Sequence, residues 1–379
     1  MPSEQQFVCV PFDEGRAARI FKVADKYAGV WLLGAMIVGL AIGHMIPSAR
    51  ETIERVTLGH RNLLIMIGLI AMLYPPLARV QYEKLHILMR NRRLLGLSVL
   101  QNWVVGPLLM FGIAALFFAN RPEFMMGLIL IGLVRCIDSV VVWNDLAEGD
   151  CHYCAGLAGT NILFQVILLP VYAYLFLTVL PNAIGLGGVM LNTSMVALVR
   201  SELVYLVIPL TAAIITRYIG LRKLGEIRYE AQFMPRIRPV SLLAKMFTVG
   251  LLFSLQGGYI FDLALDALHI ALPLAIYFLA MFGISYFLSQ RVGASYEQST
   301  TLSFTAASSN FELAIVVSIA VFGIGSGQAF VAVIGPMVEV PIVVSLVYIA
   351  LWLRRRLFRH RIECIGGSTS RHYRVFERS

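Results

Sequence analysis

Hydrophobic residues run along this chain in blocks near the length that carries a helix across a bilayer, about 20 residues. Polar residues gather between the blocks. The apolar runs cover 27–46, 62–78, 94–119, 124–146, 155–179, 198–219, 241–256, 267–289, 301–322 and 328–352. The pattern predicts an all-α polytopic membrane protein of about ten spanning helices. The seventh run is short, and the sixth carries Arg200 and Glu202 near its start.

Composition supports this reading: 58% of residues are hydrophobic and 14% charged, and mean hydropathy is +0.77. A soluble domain lies nearer half apolar and a quarter charged. The net charge of +9 does not call for a nucleic-acid partner, because in a membrane protein the location of basic residues matters more than their sum. With the N-terminus inside, 25 Lys and Arg fall on the inner side, including Arg16 to Lys26, Arg79 to Arg93, Arg217 to Lys245, Arg291 and eight arginines after Leu353. Arg50, Arg55, Arg61 and Arg121 fall outside. This asymmetry predicts a cell-membrane protein with both termini cytoplasmic. Tyr27–Ile46 is too long for a signal-peptide core and lacks a small-residue cleavage site. Five cysteines at irregular spacing do not form a disulfide framework, and no cofactor is expected.

Ten helices with both ends on one side permit two five-helix halves of inverted topology, a common transporter plan. The expected organisation is a cytoplasmic segment 1–26, a first repeat 27–180, an extracellular linker 181–196, a second repeat 197–353 and a basic cytoplasmic tail 354–379. Ala155–Val171 can be laid over Ala329–Ser345, which sets Gln165 against Glu339.

Polar residues at mid-membrane depth are costly and mark sites or pathways. Arg135 and Cys136 lie at the centre of the fourth run, Asn161 and Gln165 in the fifth, Asn310 and Glu312 in the ninth, and Glu339 in the tenth. Thr305, Ser308, Ser309 and Asn310 are weak helix formers that suit an interruption, as do Gly335-Pro336 and Pro341. The fourth and ninth helices are expected to be interrupted and to cross, bringing Cys136, Asn161, Asn310, Glu312 and Glu339 to one cavity. Structural readings stand beside these. Glu339, Asn161 and Asn310 suit helix–helix hydrogen bonds. Arg135 and Asp138 share a helix face and neutralise each other, and Trp143 suits an interfacial belt. A lone membrane cysteine is usually a small hydrophobe, but a guanidinium beside a thiol makes it a better nucleophile.

The stretches RCIDSVVVWNDLAEGD, AGLAGTNILFQ, FTAASSNFELAIVVSIAVFGIGSGQAF and AVIGPMVEVP together resemble the arsenical-resistance-3 family of arsenite efflux permeases. That family belongs to the bile acid/arsenite/riboflavin transporter superfamily. The resemblance runs from about Tyr27 to Arg356. It implies a ten-helix inverted-repeat carrier that exports arsenite, and often antimonite, in exchange for protons. By motif it implies a substrate site of Cys136, Arg135, Trp143, Asn161, Phe304, Asn310, Glu312 and Glu339, with Asn102 of the QNW stretch. Asn144 closes the same motif as Trp143. Two departures stand out: Asp138-Ser139 follows RCI where a small or apolar pair is usual, and Cys151-His152-Tyr153-Cys154 fills the turn after NDLAEGD.

One thiol with amides and carboxylates suits a metalloid that must be bound on one side and released on the other. Glu312 and Glu339 are the carboxylates expected to carry the coupling proton. A sodium-coupled carrier for a bile-acid-like organic anion is the alternative, with Arg135 holding a carboxylate. An intramembrane enzyme using Cys136 lacks a paired base, since His44, His60, His86, His152, His269, His360 and His372 all lie at or beyond segment ends. The CxxC of Cys151 and Cys154 has soft-metal ligand types. A closed site needs four ligands, so no metal is expected there, and cytosolic reductants are expected to keep its thiols free.

Overall fold

The computed structural model describes residues 28–46, 57–58, 61–85, 91–137, 139–186, 206–262, 264–323 and 325–357. Each apolar run coincides with helix there: α1 (Ala28–Met45), α2 (Leu63–Arg79), α3 (Arg92–Phe118), α4a (Pro122–Leu133) and α4b (Ser139–Leu146), and α5 (Cys151–Ala183). The order continues with α6 (Ile208–Leu224), α7 (Met234–Asp262), α8 (Ala264–Arg291), α9a (Tyr296–Ala307) and α9b (Phe311–Phe322), and α10 (Gly327–Leu357). Among the described residues, five helices are long and apolar enough to cross a membrane: α3, α5, α7 with the turns leading into it, α8 and α10. The N-terminal segment, Arg200, Glu202, Asp138 and the tail beyond Leu357 lie outside the described residues.

Three expectations change. The seventh helix is long, not short: turns at Glu226–Arg228 and Tyr229–Phe233 lead into α7, which passes through Pro239 and holds Lys245 well inside it. Helix ten is continuous through Pro336 and Pro341, because neighbouring groups in a packed bundle compensate the backbone bonds a proline removes. Helix five continues past residue 180 to Ala183, into the stretch expected to be linker.

Packing sorts the helices into two groups, one of α1, α2, α6 and α7 and one of α3–α5 with α8–α10. In the first, α1 and α7 meet backbone to backbone. A Cβ added at Gly39 would lie 2.3 Å from the Gly250 carbonyl oxygen, so small residues set this approach. The same group is braced by Arg217, which is 2% exposed. Its guanidinium binds Glu83 through Nε at 3.0 Å and Nη2 at 2.7 Å, and Glu230 at 2.9 Å, over the Tyr229 ring. Such a bidentate pair fixes direction as well as charge, and here it ties the end of α2 to α6 and to the turns before α7.

The second group is built around α4 and α9, whose apolar faces pack against α3, α8 and α10. Helix α9a starts with a capping box in which Ser295 accepts from the Gln298 amide and the Gln298 side chain accepts from the Ser295 amide, both at 3.3 Å. Its hydroxyls turn back on their own helix: Ser303 donates to the Ser299 carbonyl at 2.7 Å and Thr305 to the Thr301 carbonyl at 2.9 Å. Part of this buried polar sequence is thus satisfied within its own helix.

Candidate functional site

The two interruptions meet. After Leu133 the chain turns extended at Val134, and after Ala307 it does so at Ser308. The two extended pieces lie antiparallel, with Arg135 bridged to Ser309. The Cys136 amide donates to the Ser308 carbonyl and the Asn310 amide to the Val134 carbonyl, both at 3.4 Å. Non-helical backbone at membrane depth persists only where protein satisfies and buries it, and each break supplies what the other lacks. Asn310 then starts α9b, its Oδ1 accepting from the Leu313 amide at 3.1 Å, an N-cap worth ~1 kcal/mol.

Arg135 is fully buried and clasps the crossing. Nη2 donates to the Gly132 carbonyl at 2.6 Å, and Nη1 donates to the Ala306 carbonyl at 3.1 Å and the Tyr277 hydroxyl at 3.2 Å. Gly132 and Ala306 belong to the last turns of α4a and α9a, where helices leave carbonyls unpaired and their dipoles present negative ends. The guanidinium answers both. Its amide donates to Gln165 Oε1 at 2.7 Å, which ties in α5. Space for the clasp comes from Gly106 of α3, where an added Cβ would lie 2.3 Å from Nη2. The expected partnership of this guanidinium with the neighbouring thiol is therefore not made: successive residues in extended backbone point to opposite sides.

Cys136 points into a small cleft between the two helix groups. Met72, Leu73 and Pro76 of α2 and Lys245 of α7 line one side. Cys136, Ile137, Ser139, Asn310 and Glu312 line the other. Lys245 Nζ lies 3.2 Å from Glu312 Oε1 and donates to Ser139 Oγ at 3.2 Å. Glu339 of α10 is 6% exposed. Its carboxylate accepts the Ser309 amide, and the charges of Glu312 and Lys245 act on it. Those three charged groups are also the ones acting on Cys136. Around the crossing, Glu339 Oε1, the Ser308 and Ser309 hydroxyls, Gln165 Nε2 and Asn161 Nδ2 are buried without a partner among the described residues. Buried polar atoms are nearly always paired, and these are candidates to meet a polar ligand at the crossing.

The geometry divides the residues expected at the site. Cys136, Asn310 and Glu312 share the cleft, while Glu339 is buried, accepts the Ser309 amide and is not among the lining residues. Asn161 is buried one turn from Gln165 and is not among the cleft's lining residues. Three others are core groups set apart from the cleft. Asn102 bonds the Ser98 carbonyl at 2.9 Å within the π-turn Gln101–Val105, and Phe304 packs edge-on against Phe282. Trp143 is buried in α4b, not placed at an interfacial belt. Asn144 accepts from Thr301 Oγ1 at 2.8 Å, holding α4b to α9a. Pairing of Asp138 with Arg135 falls outside the described residues. At the CxxC turn, Cys151 is disulfide-bonded, correcting the expectation of two reduced thiols, while Cys154 is free and buried. Among the described residues no cluster of three or more His, Cys, Asp or Glu has a metal-binding arrangement.

Lys245 and Ser139 are the cleft residues that sequence reasoning missed. By charge alone Lys245 groups with the basic residues of the inner side, although it lies within the seventh apolar run. The available signal was its place inside the apolar string LLAKMFTVGLL.

The model of the Sodium Bile acid symporter family matches residues 66–263. The chain is 43% identical over 334 residues to the arsenical-resistance protein Acr3 of Corynebacterium glutamicum, covering 88% of this chain and 90% of that protein. It is 27% identical over 348 residues to the Acr3 of Alkaliphilus metalliredigens, covering 89% and 94%. It is also 27% identical over 363 residues to an uncharacterized transporter of Synechocystis sp., covering 90% and 92%.

Proposed function

The chain belongs to the Sodium Bile acid symporter family, in its arsenical-resistance Acr3 branch, and we propose that it exports trivalent metalloid from the cytoplasm. It is a multi-pass membrane transporter. The substrate in this reading is arsenite, and antimonite by the same chemistry. The observation that carries the reading is a free thiol, Cys136, in a cleft beside Glu312 and Asn310.

Arsenite near neutral pH is the uncharged trihydroxide. The Cys136 thiol displaces one hydroxyl: a sulfur–arsenic bond forms, an arsenic–oxygen bond breaks, and the thiol proton leaves with the hydroxide as water. One such bond is readily reversed, whereas three thiolates would hold the metalloid too tightly for turnover. The remaining hydroxyls are held by Glu312 and by the Asn310 amide, whose oxygen is engaged in capping α9b and whose NH2 is left to donate. Arg135 acts as a positioning residue that fixes the crossing. Asn161 and Glu339 complete the polar shell from α5 and α10. Trp143, Phe304 and Asn102 shape it from a distance.

A neutral solute leaves the driving force to a second ion. In this proposal protons enter from outside, are carried on Glu312 and Glu339, and leave to the cytoplasm. The asymmetry of Lys and Arg supports a cell-membrane location with cytoplasmic termini. The paired interruptions of α4 and α9 support two inverted halves, 27–180 and 197–353. A sodium-coupled carrier for an organic anion is disfavoured, since Arg135 is committed to two helix carbonyls and Lys245 to Glu312. The test is arsenite uptake into everted vesicles from an arsenite-sensitive host. Wild type accumulates arsenite with an imposed proton gradient and the Cys136→Ala variant does not. Uptake that survives this substitution, or that needs sodium, would sink the reading.

A further inference from the structure

Lys245 is a cation facing the wrong ends of two helices. It reaches Ser139, the first residue of α4b, and Glu312, in the first turn of α9b. Both are helix N-termini, where the dipole repels a positive charge and favours a carboxylate. Its side chain and that of Glu312 are 13% and 15% exposed, and a cation so enclosed needs its counter-charge. Lys245 also belongs to the helix group of α1, α2, α6 and α7, whereas Ser139 and Glu312 belong to the other. Its ammonium thus spans the cleft beside Cys136.

We propose that Lys245 is a positioning residue, an internal counter-cation that clasps the two helix groups across the cleft and takes turns with the coupling proton on Glu312. This rests on the transport reading above. With the clasp closed, the ammonium sits 3.2 Å from the Glu312 carboxylate and fills the place a transported proton would take. When the helix groups part, Lys245 withdraws with α7, and Glu312, left without its cation, takes a proton. When they close again, the returning ammonium displaces that proton. The groups that act with Glu312 among the described residues fit the scheme: Lys245 from α7, Glu339 from α10 and Cys136 from the α4 break carry charge or a titratable proton. Helix α2 contributes Met72, Leu73 and Pro76, and α4b contributes Ser139. Asp138 lies outside the described residues. A tethered ammonium also makes a free sodium ion redundant at this carboxylate.

The test compares wild type with Lys245→Gln, Lys245→Arg and Glu312→Gln by two independent measurements. The first is amide hydrogen exchange across 139–146, 241–249 and 311–322 on purified protein, with no substrate present. Opening the clasp from either end, by Lys245→Gln or Glu312→Gln, accelerates exchange in all three segments several-fold, while Lys245→Arg leaves it near wild type. The second is arsenite movement in everted vesicles. The readout is the ratio of uptake with and without an imposed proton gradient in the same vesicles: Lys245→Gln loses this acceleration, and Lys245→Arg keeps it. Wild-type exchange rates in Lys245→Gln, or undiminished gradient acceleration, overturn the proposal. Faster exchange together with wild-type vesicles that move no arsenite refutes the functional reading and leaves the clasp standing. Should Lys245→Gln fail to fold, Lys245→Met, which keeps the apolar stem, replaces it in both measurements.

Discussion

Arg135 and Ser309 face each other across a single antiparallel bridge between two interrupted helices, and the Arg135 side chain closes both helix ends around that bridge. The consequence is directional. With the guanidinium turned toward Gly132, Ala306 and Tyr277, the next residue, Cys136, lines the cleft.

Replacing Arg135 with Gln removes charged hydrogen bonds to two helix-terminal carbonyls, each worth ~1.5–3 kcal/mol. The protein should melt well below wild type in detergent or fail to accumulate. Lys, which keeps the charge but loses the fork, should fall between. Wild-type melting of Arg135→Gln by temperature-dependent size exclusion would contradict the clasp at the crossing.

Two thiols are free among the described residues, and they should behave differently. Cys136→Ser should abolish arsenite resistance in a sensitive host with the protein still folded, since a hydroxyl does not replace a thiol toward arsenic. Cys154 faces the Val140 carbonyl in the core, and Cys154→Ala should keep resistance, at a stability cost of about 1 kcal/mol. Loss of resistance in well-folded Cys154→Ala would extend the substrate path to α5.

Gly335→Ala tests the seat of α9b on α10. An added Cβ would lie 2.0 Å from the Phe311 ring, a buried side chain adjoining Asn310 and Glu312. Overpacking of this kind costs ~1–3 kcal/mol and should tilt the start of α9b away from the cleft. The expected result is a lower melting temperature together with weaker arsenite protection of Cys136 against alkylation. A variant unchanged in both would show that the ring yields.

Glu339→Gln keeps an oxygen to accept the Ser309 amide but loses the charge. The protein should melt near wild type, while gradient-driven arsenite uptake falls by roughly a hundredfold, the lower end for losing one proton-transfer group. Equal gradient-driven uptake would remove Glu339 from the coupling path.

The chain's own order of residues determined a great deal. Apolar blocks near bilayer length, with basic residues collected between them, dictate spanning helices wherever they stand, because hydrocarbon admits few other backbone solutions. The polar mid-membrane residues of the fourth and ninth runs stand out as candidate sites for the same reason: their cost asks for a use. The break in α9 was written locally in Ser308, Ser309 and Asn310. The break in α4 was not, since Val134, Arg135 and Cys136 include no helix breaker. It exists because α9 supplies the pairing that an extended stretch there requires.

Direction and partnership were decided by the tertiary structure. Sequence adjacency put Arg135 beside Cys136, but extended backbone sends neighbours to opposite sides, and the helix-terminal carbonyls of Gly132 and Ala306 claim the guanidinium. Lys245 read as cytoplasmic by its distance from a helix end. It became a cleft residue because α7 starts at Met234 and carries it about three turns inward, to the place where Glu312 waits at the start of α9b. Which charge meets which is set by how two helix groups pack, and no local pattern encodes that.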